Sequence, residues 1–168
     1  MASVAPLPKP ELPPSDPTAI PSSEELVESW TTIVLGYTRV ARVLTAKVEH
    51  ATGMPGRSFD VLVRLLRAGD QPVSLTKLTR TISFSSGGFT KLADRLEQAG
   101  LIERQPSTSD RRVTNAVLTP TGRAQAEQAL AVFVAELREL VVPRLGADGL
   151  RVLAGYMEQL GGDEPCED

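Results

Sequence analysis

Between Leu75 and Thr119 the chain reads LTKLTRTISFSSGGFTKLADRLEQAGLIERQPSTSDRRVTNAVLT, and this stretch limits the possible folds more than any other. Leu75, Leu78 and Ile82 recur at helical spacing and predict a short helix. Ser85 is positioned to cap a second helix, because its hydroxyl can accept from an orphan backbone N–H one turn further in. Phe89, Leu92, Ala93 and Leu96 make one apolar face of that helix, while Thr90, Lys91, Asp94 and Arg95 point the other way. Gly100 stops it. Ile102 to Gln105 starts a strand, Pro106 to Asp110 has turn chemistry, and Val113 to Leu118 returns. Helix, turn, helix and a hairpin tipped with Asp110-Arg111-Arg112 is the order of a winged helix-turn-helix, a device suited to reading DNA.

The details are more specific than the order. The run Thr90-Lys91-Leu92-Ala93-Asp94-Arg95-Leu96-Glu97 is followed by Gly100-Leu101-Ile102 and Arg104, by Asp110-Arg111-Arg112, and by Leu118-Thr119-Pro120-Thr121-Gly122. This ordered set resembles the MarR family of bacterial transcription regulators, with its T-[RK]-L-x-x-x-L-E-x-x-G-L-[IV]-x-R run, D-x-R wing and L-T-x-x-G at the next helix. The resemblance implies a homodimer on a palindromic operator, acting as a repressor that a small anionic or phenolic molecule releases. It implies that Arg112 enters the minor groove and that Asp110 orients it. A narrow A·T-rich groove has a deep negative potential that attracts a guanidinium. Gly87-Gly88 and Phe89 depart mildly from the family's pattern, which bears on base preference and not on fold.

Charge supports the same lobe. The chain carries a net charge of −3, which alone argues against nucleic acid. From Arg57 to Arg123, however, eleven Lys and Arg stand against six Asp and Glu, so this segment is +5. The flanks are acidic, −2 before it and −6 after it. A single cysteine, Cys166, excludes an intrachain disulfide and a cysteine zinc cluster, and a single histidine, His50, argues against a histidine metal site. No metal or cofactor is expected. No apolar run approaches a membrane span and the N-terminus lacks a signal-peptide core, so a cytoplasmic protein is expected.

Along the chain, residues 1–23 form a tail with seven prolines before residue 22, a density that sustains neither helix nor central strand. Ser22 or Ser23 caps a long helix in which Leu26, Trp30, Ile33, Tyr37, Val40 and Leu44 make a heptad-like seam about 30 Å long. Gly53, Pro55 and Gly56 end it. Phe59 to Leu66 form a short apolar helix closed by Gly69, and Pro72-Val73-Ser74 reads as a brief strand. After the wing, Thr119 caps a helix with Pro120 in its first turn and Ala126, Leu130, Phe133, Leu137 and Leu140 on its seam. Pro143 and Gly146 should break it, with a last amphipathic helix carrying Leu150, Leu153, Tyr156, Met157 and Leu160, and an acidic tail over 161–168.

The expected fold is therefore mainly α with a small β-hairpin. The DNA-binding lobe covers 57–119, and 24–56 with 120–160 supply helices for dimerisation. The terminal helices carry more apolar surface than one winged domain needs. They could pack on each other within one chain or interlock with a second copy, and the resemblance favours the dimer.

Candidate DNA contacts are Ser85, Ser86, Gly87, Thr90, Lys91 and Arg95 on the second helix, with Asp110, Arg111 and Arg112 on the wing. Lys91 and Arg95 are four apart and share a side. Arginine can bond bidentately to guanine, and lysine and hydroxyls hold phosphates. Glycine at 87 and 88 would allow close backbone approach to phosphate, or is simply tolerated near a helix end. Trp30, Tyr37, Arg42, His50, Asp60 and Arg64 are candidate lining for an effector pocket. Trp30 and Tyr37 read first as core aromatics of the seam and His50 first as a helix-end residue, while Asp60 and the arginines read equally as surface charges or an ion pair.

Two other function classes compete. No phosphate-cradling glycine loop, nucleophile elbow or paired His with Ser or Cys marks an enzyme. A winged helix used only for protein interaction would not need the +5 lobe.

Overall fold

The computed structural model describes residues 20–81, 86–107, 110 and 112–161. Six helices and three strands follow in order: α1 (Ser23–Thr52), α2 (Gly56–Ala68), β1 (Val73–Ser74), α3 (Leu75–Thr81), α4 (Ser86–Gln98), β2 (Ile102–Pro106), β3 (Thr114–Leu118), α5 (Pro120–Leu140) and α6 (Val142–Gly161). The chain divides into two compact units. One is Val43–Val134, and the other holds the chain up to Arg42 and from Ala135 onward.

The Val43–Val134 unit has a closed core. Val48 from α1, Phe59, Leu62 and Leu65 from α2, Leu78 from α3, and Phe89, Leu92 and Leu96 from α4 are all buried, with Ala126 and Ala129 of α5. Each fully buried leucine contributes about 1.5–3 kcal/mol. Phe59 and Phe133 pack as a tilted pair with ring centroids 5.1 Å apart. The sheet is antiparallel in the order β1-β3-β2. β3 lies at its centre: Ala116 pairs with both Val73 and Arg104, and Asn115 with both Ser74 and Gln105. Pro106 is tolerated because β2 is an edge strand, where a missing N–H costs no ladder bond.

Local chemistry fixes the element ends. Ser74 Oγ accepts from the Lys77 N–H at 3.1 Å and caps α3. At the end of α4 the Gly100 N–H reaches the Glu97 carbonyl (2.8 Å) and the Leu101 N–H reaches that of Leu96 (2.9 Å). That is a Schellman cap, and Gly100 takes its left-handed conformation (φ 68°). The start of α5 is held harder. The Thr119 hydroxyl donates to the Gly100 carbonyl (2.6 Å) and accepts from the Gly122 N–H (2.9 Å), and the Thr119 N–H donates to the Leu101 carbonyl (3.1 Å). Gly122 is then so close to the backbone ahead of β2 that an added Cβ would sit 1.8 Å from the Leu101 carbonyl oxygen. The L-T-x-x-G pattern thus has a steric cause.

The other unit comprises most of α1, the end of α5 and α6. A capping box starts α1: Ser22 N–H donates to Glu25 Oε2 (2.8 Å) and Glu25 N–H to Ser22 Oγ (3.3 Å). These bonds hold the Glu25 carboxyl below its usual value. Among the described residues of this unit, the one buried apolar side chain is Val141. Leu26, Val27, Trp30, Ile33 and Val34 on α1, and Val152, Leu153, Tyr156, Met157 and Leu160 on α6, are exposed in the single chain.

Two expectations need revision. Pro143 does not end a helix: α5 stops at Leu140, and α6 begins at Val142 with Pro143 in its first turn, where no N–H is needed. A further break comes inside α6 at Gly146, at φ 69° and ψ 170°. Trp30 and Tyr37 are not core aromatics of the single chain, being 58% and 70% exposed.

Candidate nucleic-acid interface

α4 is amphipathic as its spacing requires. Phe89, Leu92, Ala93 and Leu96 face the core, and Gly87, Thr90, Lys91 and Arg95 are exposed. An added Cβ at Gly87 would meet nothing within 4 Å, so packing within the chain does not demand glycine there. Ser85 and Arg111 lie outside the described residues, as does the Ser86 side chain.

Asp94 behaves differently from its expected place on the open face. It is half-buried, and its Oδ1 lies 2.5 Å from Arg104 Nη2. Glu97 Oε2 lies 3.4 Å from Arg104 Nε, an ion pair without a well-directed hydrogen bond at that nitrogen. Arg104 N–H also donates to Glu97 Oε1 at 3.3 Å. The two carboxylates of α4 are therefore engaged by β2, and the cations Lys91 and Arg95 are left on the exposed face. Ten residues and a tight turn separate Asp94 from Arg104, so helical spacing alone gives no sign of the pair.

The wing turn is closed by its own backbone. Ser107 N–H donates to the Val113 carbonyl (2.8 Å), and Val113 N–H to the Asp110 carbonyl (2.9 Å). Asp110 N–H donates to Ser107 Oγ (3.4 Å), and Asp110 Oδ1 accepts the Arg112 N–H (2.9 Å). Asp110 thus holds Arg112 through the main chain, and Arg112 is exposed. This is the side-chain-to-backbone bond that short acidic residues make in turns.

Two clefts border α4. One, of about 540 Å³, lies between the Thr52–Ser58 turn and α4, with Arg57, Lys91 and Arg95 on its walls. The other, of about 420 Å³, is lined by Leu75, Thr79, Arg80, Phe89, Thr90 and Arg104. Arg57 and Arg80 belong to no motif, and their place in the +5 segment is the one sequence signal that marks them.

The six proposed pocket residues divide between the units. Trp30, Tyr37 and Arg42 belong to the helical unit, and His50, Asp60 and Arg64 to Val43–Val134. Asp60 and Arg64 share α2 one turn apart, and both reach solvent. Partial desolvation lifts the Asp60 carboxyl above its usual value, opposed by Arg64 and Arg57. Among the described residues no group of His, Cys, Asp or Glu is arranged to hold a metal, and no helix is long and apolar enough to cross a membrane.

Comparison with known proteins agrees with this architecture. A model of the MarR family matches residues 56–114. An HTH-type transcriptional repressor of Mycobacterium bovis is 35% identical over 133 residues, spanning 77% of this chain and 94% of its own. A MarR family transcriptional regulator from Streptomyces coelicolor, crystallised in complex with DNA, superposes with a TM-score of 0.74 at 23% identity, over 91% of this chain and 96% of that one. A mutant MarR from E. coli complexed with operator DNA gives 0.68 at 23% identity, over 82% and 96%. At such identities the structural likeness concerns the fold, while the family model and the repressor relative carry the kinship. The chain belongs to the MarR family.

Proposed function

We propose that this protein is a homodimeric, sequence-specific DNA-binding transcription regulator acting in the cytoplasm. It occupies a palindromic operator as a repressor and leaves it when a small anionic or phenolic molecule changes the spacing of its two reading heads. The carrying observation is α4, whose carboxylates are turned to β2 while Thr90, Lys91 and Arg95 stand on the open face. In this reading α4 lies in the major groove and Arg112 in the minor groove. Ser85, Ser86, Gly87, Asp110 and Arg111 complete the contacts. The S. coelicolor and E. coli structures, both complexes with DNA, support it. The name of the M. bovis relative supports repression.

The bare apolar residues of α1 and α6 support the dimer, with 24–56 and 120–160 as its dimerisation helices. Two copies read two half-sites about one helical turn apart, which one winged domain cannot do. The effector lining remains Trp30, Tyr37, Arg42, His50, Asp60 and Arg64. Release requires that the effector bind one spacing of the heads more tightly than the other.

Fluorescence polarisation on labelled fragments from upstream of the gene, titrated with salt, tests the reading. Wild type should bind one fragment tightly with a steep salt slope, and Arg112→Ala should lose about 1–3 kcal/mol. Weak binding that is equal on every fragment would favour a protein-interaction module instead.

A further inference from the structure

The residues that attach the wing to the recognition helix are not an ordinary surface ion pair. β2 has period two, so Ile102 and Arg104 share the face turned to α4. Ile102 is the one buried residue of β2. Two residues further out, Arg104 is only partly buried and reaches two side chains of α4. Its Nη2 lies 2.5 Å from Asp94, its Nε lies 3.4 Å from Glu97, and its backbone N–H donates to Glu97 at 3.3 Å. Its register partner is Ala116 on β3, the strand that returns from the wing tip. From Arg104 outward the hairpin consists of Gln105, Pro106 and the turn that carries Arg112.

We infer that the Asp94–Arg104–Glu97 fork is a strut that fixes the wing at a set distance and angle from α4, so that major-groove and minor-groove contacts are made together. Arg104 is a positioning residue in this inference and does not touch DNA. The guanidinium suits the role because its donors are rigid and planar and can span two carboxylates, whereas an ammonium offers a single point charge. The strut also keeps two carboxylates from facing phosphate. Both functions rest on the DNA-binding reading above, but the geometry they require can be measured without DNA.

The test uses full-length protein with Cys166→Ser, spin-labelled at Gln98→Cys on α4 and Thr114→Cys on β3, and diluted into excess unlabelled protein so that intrachain pairs dominate. With Arg104 present, the pulsed-dipolar distance distribution should be narrow. It should broaden in a charge-neutral triple variant, Asp94→Asn with Glu97→Gln and Arg104→Met, which leaves no unpaired carboxylate. Arg104→Lys should fall between the two and guards against a triple variant that does not fold. An unchanged width would overturn the strut whether or not the protein binds DNA. The coupling is read from a double-mutant cycle on operator DNA. The triple variant should lower affinity about tenfold when Arg112 is present and less than about twofold in Arg112→Ala. Additive losses would overturn the coupling. If wild type binds no DNA, the regulatory reading fails, and the distance measurement still decides the strut.

Discussion

The two units of the chain treat their apolar residues in opposite ways. In Val43–Val134, leucines from three consecutive helices are closed off from water, and the sheet is folded back on them. In the helical unit, the seam Leu26, Trp30, Ile33 and the α6 residues Leu153, Tyr156 and Leu160 stay in solvent. The periodicity is equally regular in both. A repeat of three and four residues therefore identifies a face that must be covered, and says nothing about whether the same chain covers it. The first unit draws its stability from its own packing. Under the proposed dimer, the second draws its stability from protein concentration as well.

Three substitutions would break or sharpen this contrast. The largest effect is expected from Gly122→Ala, whose methyl would collide with the Leu101 carbonyl. Neither partner can move without shifting backbone, so the variant should lose at least about 3 kcal/mol in denaturant unfolding. An unchanged midpoint would show that the two backbones are not in close contact. Next comes Leu153→Asp, on the bare face of α6. Burying an unpaired carboxylate at a subunit interface should weaken self-association by about a hundredfold, roughly 2.7 kcal/mol. In sedimentation the variant should run as a monomer at micromolar concentration while the Val43–Val134 unit stays folded. A surviving dimer would remove α6 from the interface.

The smallest effect concerns Asp60. Its folded carboxyl titrates above the ordinary 3.8, so the folded state holds the proton more tightly than the unfolded chain. Its favourable contribution is therefore fully present below 3.8 and is lost as pH rises through the folded value. Asp60→Asn removes that loss. At pH 7 the variant should be more stable than wild type by less than about 0.5 kcal/mol, since the side chain reaches solvent and is screened. The difference should close as pH falls toward 3.8, and a gap that widens there would reverse the sign.

What could be read ahead of the structure was local. The faces of α4, the Gly100 cap, the hairpin and the Thr119 start of α5 all follow from residues within one or two turns of each other. The capping box needed one more step, since Glu25 stands three residues after Ser22 and not after Ser23. Helical spacing puts Asp94 on the open face and gives no sign of its partner, which comes from a strand beyond the Gly100 turn. Pro143 is ambiguous in sequence because proline both ends helices and begins them, and only the stop at Leu140 tells which. The spacing of Trp30 and Tyr37 shows an apolar face without showing what covers it.

The clamp at Thr119 makes the wing a closed loop. Its hydroxyl and N–H tie the start of α5 to Gly100 and Leu101, the two residues that lead into β2. Nineteen positions separate Gly100 from Thr119, and the chain enters and leaves this loop at almost one point. A distortion at the tip meets this clamp before it reaches α5. The start of α5 is thereby fixed by the backbone at the base of the hairpin and not by the residues at its tip.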